Sequence, residues 1–166
     1  MRILVAPDSF KGTLTAAEAA RAIAEGLAEA HPGARITRLP LADGGEGTVA
    51  ALAAALGGAL VRTPARDPLG RPVTAAWAWV AARRLAVIEM AAASGLPLLA
   101  EDERDPWRAD TRGTGDLLRA ALDHGARDIL LGIGGSATLD GGRGVLAALG
   151  ARETADGTVD LSGLDQ

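Results

Sequence analysis

Apolar positions in this chain fall in short blocks, separated by loops rich in glycine, aspartate and proline. Arg2 to Ala6 reads as a buried strand, and Pro7 to Thr13 as the loop leaving its C-terminal end. Thr15 followed by Glu18 forms a capping box. Behind it, Ala19, Ala22, Ile23, Leu27 and Ala30 recur at helical spacing until His31-Pro32-Gly33 ends the pattern. Ile36 to Leu41 is a second strand. The loop Ala42-Asp43-Gly44-Gly45-Glu46-Gly47 then leads into a helix from about Thr48 to Leu56, stopped by Gly57-Gly58. Strand, loop and helix, twice over, make a βαβα unit, which predicts a mostly parallel sheet with right-handed crossovers.

Beyond Ala59 the pattern changes. Leu60–Thr63, Val73–Val80 and Leu85–Met90 read as strands joined by turns too short for helical crossovers, an antiparallel meander. Residues 101–111 form a polar loop. A helix from Gly115 to His124, a buried strand from Ile129 to Ile133 and a helix from about Gly144 to Leu149 follow. The expected division is residues 1–58, the βαβα part of a first α/β domain, and 59–166, a second region that is incomplete. The tail after Ala151 is polar and stops without completing an element, so the chain reads as the front portion of a larger protein. The periodicity shows no internal repeat.

Composition narrows the chemistry. Lys11 is the one lysine beside 16 arginines. A compact ammonium does not substitute for a forked guanidinium, so Lys11 marks a place where a point charge reaches one oxygen. The 22 glycines are nearly double the usual share of ~7% and cluster in motifs. With no cysteine, thiolate nucleophiles and thiolate metal sites are excluded. A net charge of −4 without long basic runs argues against nucleic acid. No apolar stretch is long enough to span a membrane, and the N-terminus enters a strand without a signal-peptide pattern. A cytoplasmic protein is the expectation.

Three loops share one layout, a strand feeding a polar or glycine-rich turn that opens a helix. In open α/β sheets ligands bind at the carboxyl ends of strands, so these loops are expected to converge. In the first, Asp8 could hold Mg²⁺ or orient a hydroxyl, Ser9 could donate to a phosphate, and Lys11 could neutralise developing charge. An Asx turn is the structural alternative for Asp8 and Ser9. In the second, Asp43 and Glu46 flank Gly44 and Gly45 and suit a hard cation or a hydroxylated ligand, or else a solvated turn with Glu46 near a helix N-terminus. The third, GIGGSATLDGG, is a phosphate cradle. Gly134 and Gly135 offer backbone N–H groups, Ser136 and Thr138 add hydroxyls, and Asp140 could reach a metal. It matches neither GxxxxGK[ST] nor GxGxxG. Glu89, alone in the apolar run 88–96, is either functional or bonded to a partner. Thr111-Arg112-Gly113-Thr114-Gly115 could meet an anion but reads better as helix capping.

Five segments in order, VAPDSFKGTLTA (5–16), LPLADGGEGTV (39–49), VIEMAAASGL (87–96), RGTGDLLRAALDHGAR (112–127) and GIGGSATLDGG (132–142), resemble the bacterial glycerate kinase family of the first class. The resemblance implies ATP- and Mg²⁺-dependent phosphorylation of D-glycerate, with 2-phosphoglycerate favoured. It also implies a flavodoxin-like α/β domain beside a smaller restriction-endonuclease-like one, with the active site between them. Asp8, Lys11 and Asp43 would then be catalytic. Ser9, Gly44, Gly45, Glu46, Glu89, Gly134, Gly135, Ser136 and Thr138 would bind substrate or phosphate, and Asp140 would bind metal. The expected partners are D-glycerate and ATP, without nucleic acid or membrane, in a homo-oligomer. Leu139 stands where the family pattern has Asn, and family members run to more than twice this length. The alternative is a non-catalytic ligand-binding or assembly module on the same fold.

Overall fold

The computed structural model describes residues 1–156 and 158–164; Gly157, Asp165 and Gln166, part of the polar tail, lie outside the described residues. Two sheets organise the front of the chain. Strand β1 (Arg2–Val5) pairs in parallel with β2 (Arg35–Arg38), and the crossover between them is helix α1 (Ala16–Ala30). The capping box forms as the sequence predicts: the Glu18 N–H donates to Thr15 Oγ1 at 3.2 Å, and the Thr15 N–H donates to Glu18 Oε2 at 2.8 Å.

A four-stranded sheet has the order β3 (Ala59–Arg66), β4 (Pro72–Val80), β5 (Leu85–Glu89), β6 (Asp128–Gly132). The first three strands are the antiparallel meander, and β6 joins β5 in parallel. Between β5 and β6 lie a one-turn helix α3 (Ala91–Ser94) and helix α4 (Arg112–His124), which starts three residues before the expected Gly115. Helix α5 (Arg143–Leu149) follows β6.

Alternation along the strands sends side chains to two layers. Trp77, Ala86 and Ile88 pack with Leu117 and Ala121 of α4 on one face. Ala78 and Val87 pack with Val49 and Ala53 of α2 (Thr48–Leu56) on the other. The βαβα reading therefore needs correction at its last element. Helix α2 packs on β4 and β5 rather than on the β1–β2 pair, because its apolar side chains fit the Ala78/Val87 face. Helices α4 and α5 approach closely where side chains are missing. A Cβ on Gly115 would stand 2.5 Å from Ala148 Cβ, and one on Gly144 would stand 2.6 Å from the Thr111 nitrogen. The tail also carries an element the polar pattern hid, a two-residue hairpin of β7 (Arg152–Glu153) and β8 (Val159–Asp160). No described helix is long and apolar enough to cross a membrane.

Candidate active site

Four of the five motif segments meet where β5 and β6 end. The loop after β2 lies against the loop after β6, and the Gly134 N–H donates to the Gly44 carbonyl at 3.0 Å. Main chain meets main chain here with no space for side chains. A Cβ on Gly132 would collide with the Gly44 carbonyl oxygen, and one on Gly134 would lie 2.7 Å from the Gly45 nitrogen. The segment after β5 pairs with the same loop from the other side. Met90 N–H donates to Gly132 O at 2.8 Å, Leu96 N–H to Gly135 O at 3.0 Å, and Ala137 N–H to Ser94 O at 2.9 Å.

Glu89 is the buried charge at this junction, 8% exposed. It shares a strand face with Val87, so it points to the α2 side, where its Oε1 accepts the Val49 N–H at 2.6 Å. A carboxylate at a helix N-terminus answers backbone donors that have no partner within the helix. Burial nonetheless dominates and raises its pKa above the ordinary glutamate range, with the Glu46 charge adding to the rise and the N–H groups of Val49, Gly47 and Thr48 opposing it. Of the two readings left open for Glu89, the structure shows it bonded to a partner, and that partner is backbone.

Asp43 and the glycines beside it are held by the loop itself. Asp43 Oδ1 accepts the Gly45 N–H at 2.9 Å, and the Gly44 N–H donates to Thr48 Oγ1 at 3.1 Å. With Gly134 also spent on Gly44, the N–H groups of Gly44, Gly45 and Gly134 already have acceptors. Asp43 and Glu46 are exposed beside them. Gly135 takes a φ of 74°, a left-handed conformation suited to glycine. The N–H groups of Gly135 and Ser136 have no protein acceptor among the described residues. Ser136 Oγ lies 2.9 Å from Thr138 Oγ1 and accepts the Thr138 N–H at 3.1 Å, so hydroxyls and N–H groups gather in one short turn.

Asp140 closes the far end of that loop. Its Oδ2 accepts from the Thr111 N–H (2.9 Å), the Thr111 hydroxyl (2.7 Å) and the Gly144 N–H (2.9 Å), and its Oδ1 from the Gly142 N–H (3.1 Å). Burial pulls its pKa up, but those donors win and hold it below the ordinary aspartate range. A carboxylate so occupied fastens the start of α4 to the start of α5 and has little left to offer Mg²⁺. Among the described residues no three histidines, cysteines, aspartates or glutamates gather as a metal cage. Buried Thr111 and the Thr114–Ser94 hydroxyl pair, 2.8 Å apart, complete this framework. Sequence reasoning read Thr111 and Thr114 as part of a helix-capping segment and gave Ser94 no role; Thr111 does stand at the N-cap of α4, but its hydroxyl bonds Asp140 instead of capping the helix.

The first loop stands apart. Parallel pairing brings the ends of β1 and β2 together, and the Leu41 N–H donates to the Pro7 carbonyl at 2.9 Å. Phe10 to Leu14 then form a tight turn, Phe10 N–H to Leu14 O at 2.9 Å, with exposed Lys11 at its tip. Asp8 Oδ1 accepts the Ser9 N–H at 2.6 Å, a local turn contact. Among the described residues no hydrogen bond links Asp8, Ser9 or Lys11 to the other loops.

The model of the glycerate kinase family matches residues 3–164. The chain belongs to the glycerate kinase family. Glycerate kinase of Bacillus subtilis (strain 168) is 49% identical across 99% of this chain and 47% of its own length. Glycerate 2-kinase of Escherichia coli (strain K12) is 50% identical across 92% of this chain and 40% of its own. A crystal structure from Salmonella typhimurium LT2, assigned as glycerate kinase 2, superposes with a TM-score of 0.83 at 46% identity, covering all of this chain and 49% of the other. This chain therefore spans less than half the length of the curated glycerate kinases it matches.

Proposed function

We propose that this chain carries a large part of the site of an ATP-dependent kinase that phosphorylates D-glycerate, with 2-phosphoglycerate the favoured product. The observation that carries the reading is the docking of the Asp43–Gly47 loop onto the Gly132–Ser136 turn, within a chain of this family. It places exposed carboxylates beside a turn with unspent N–H groups and two hydroxyls. A glycerate hydroxyl attacks the γ-phosphorus of ATP in line, the new O–P bond forms as the bond to the ADP oxygen breaks, and Asp8 or Asp43 takes the hydroxyl proton. Gly135, Ser136 and Thr138 receive phosphate or carboxylate oxygens, and Lys11 supplies a positive charge from the neighbouring loop. Glu46 meets the hydroxyls of glycerate, with Ser9 near the phosphate.

Gly44, Gly45 and Gly134 serve by permitting close approach, and Glu89 and Asp140 by anchoring. When bound with the nucleotide, Mg²⁺ would supply positive charge against the phosphates. Whichever of Asp8 and Asp43 is not the base would hold it through the carboxylate oxygen that is clear of hydrogen bonds, since such ions need few carboxylates when phosphates and water complete the shell. The expected setting is cytoplasmic.

A second reading is supported by apolar side chains at the β1–β2 end: Leu4 is 61% exposed, Leu39 47% and Leu41 46%. On that reading the chain is a binding or assembly module that self-associates through this face. Coupled detection of ADP release from D-glycerate, ATP and Mg²⁺ separates the two. The kinase reading predicts turnover that falls by about 10²-fold or more in Lys11→Ala with folding intact. Absence of turnover alone means that these residues do not suffice for the kinase, absence of turnover with dilution-sensitive self-association supports the module reading, and turnover unchanged by Lys11→Ala removes Lys11 from the mechanism.

A further inference from the structure

Of the five motif segments, only 112–127 supplies no residue to the proposed kinase chemistry. Its helix, α4, nevertheless grips the loop after β6 from below at two points. At the far end of that loop, Thr111 donates its N–H and hydroxyl to Asp140 Oδ2 at 2.9 and 2.7 Å. Three residues on, the Thr114 hydroxyl donates to Ser94 Oγ at 2.8 Å, and both side chains are buried. A threonine within a helix can bond a carbonyl one turn back on its own chain; Thr114 spends its hydroxyl on another element instead. Ser94 ends α3, and its carbonyl accepts the Ala137 N–H at 2.9 Å. The Leu96 N–H donates to Gly135 O at 3.0 Å, so these two bonds flank Gly95 and Ser136, which form an isolated antiparallel bridge. In a pair flanked this way the N–H and carbonyl of each residue point away from the partner strand. Ser136 therefore turns its N–H away from 94–96, and that N–H has no protein acceptor among the described residues. Glycines make the contact possible. A Cβ on Gly95 would collide with the Ala91 carbonyl oxygen, and one on Gly113 would lie 2.9 Å from the Ala93 carbonyl oxygen.

We propose that Thr114 is a positioning residue for the hydroxyl turn: through Ser94 it sets the register of residues 134–138 and so aims the Ser136 N–H at the anionic oxygens of the substrate. A site held only by its own short loop is loose, and a locked supporting hydrogen bond behind it removes that freedom. Thr114 touches no substrate; it acts through the Ser94 hydroxyl, the Ser94 carbonyl and the Ala137 N–H in turn. The inference rests on the kinase reading only for the ligand that the turn receives, and its first readout needs no ligand.

The experiment is amide hydrogen exchange of the 166-residue chain, followed by calorimetric titration with D-glycerate. In Thr114→Val, which keeps the side-chain shape, the Ala137 N–H should exchange about tenfold or more faster, the scale of one lost buried hydrogen bond. Amides of β4 and β5 should keep their rates, and Thr114→Ser should restore slow exchange at Ala137. D-glycerate should bind Thr114→Val about fivefold or more weakly and Thr114→Ser as it binds the parent. The Ser94→Ala/Thr114→Val double variant removes both hydroxyls and leaves no buried donor unpaired, so it should regain melting temperature without regaining affinity. It carries the same comparison if Thr114→Val alone does not fold. Unchanged Ala137 exchange, or acceleration shared equally with β4 and β5, overturns the proposal and leaves Thr114 a packing residue. Affinity that returns together with melting temperature in the double variant overturns it as well. Faster exchange confined to the turn, in a chain that binds no D-glycerate, upholds the control of the turn by Thr114 while the kinase reading fails.

Discussion

Glu89 shows how one side chain can join packing to the site. Its carboxylate reaches across the sheet face to the start of α2, so the loop holding Asp43 and Glu46 is tied to the end of β5. Removing the acceptor in Glu89→Ala leaves a buried N–H without a partner, at a cost of about 1–3 kcal/mol. Glu89→Gln keeps an acceptor oxygen and removes only the charge. Because burial raises the folded pKa, the native state binds the proton more tightly than the unfolded chain does. Wild-type stability therefore falls as pH rises from the ordinary glutamate range through the raised folded value. Urea titrations across that window should show Glu89→Gln gaining on the wild type as pH increases; a constant difference would mean that the charge of Glu89 is not the strained quantity. Sequence reading found Glu89 because a carboxylate in an apolar run is costly, but could not say that the answering group was backbone. The partner, Val49, lies 40 residues away, and only the parity of the strand links them.

Among the elements, the strands and the helices α1, α2 and α5 were legible within a few residues, because alternation, the capping box and the glycine stops act locally. The partner of α2 was not. Nothing in its own apolar pattern distinguishes the β1–β2 face from the Ala78/Val87 face, and only packing across the chain decides it. The β7–β8 hairpin escaped notice because its two-residue strands are too short to show a period. The glycines of the loops after β2 and β6 announced close approach, yet their role is backbone docking more than anion donation. Gly134→Ala tests this at the level of the element. Its methyl would meet the Gly45 nitrogen at 2.7 Å, so the two loops must part, with an expected loss of about 1–3 kcal/mol. Thermal unfolding should shift down by ~2–12 °C. An unchanged melting temperature would show that the docking is loose.

The whole molecule combines a four-stranded sheet covered on both faces with a two-stranded pair that keeps apolar side chains exposed. The site residues divide along the same line. The Asp43–Gly45 loop, Glu89, the Gly134–Thr138 turn and Asp140 belong to one hydrogen-bonded framework around the ends of β5 and β6, whereas Asp8 to Lys11 stand apart on the neighbouring pair. The meeting of four of the five motifs was legible as an order along the chain, but its geometry depended on the glycine contacts, and the expected arrival of the first loop is not among the described contacts. The most direct test of the account is a D-glycerate titration of the chain followed by amide NMR. The account predicts saturable shifts concentrated at residues 8–11, 43–47 and 134–138, with the β3–β4 hairpin still. No shifts at saturating D-glycerate, or shifts centred away from those loops, would contradict it.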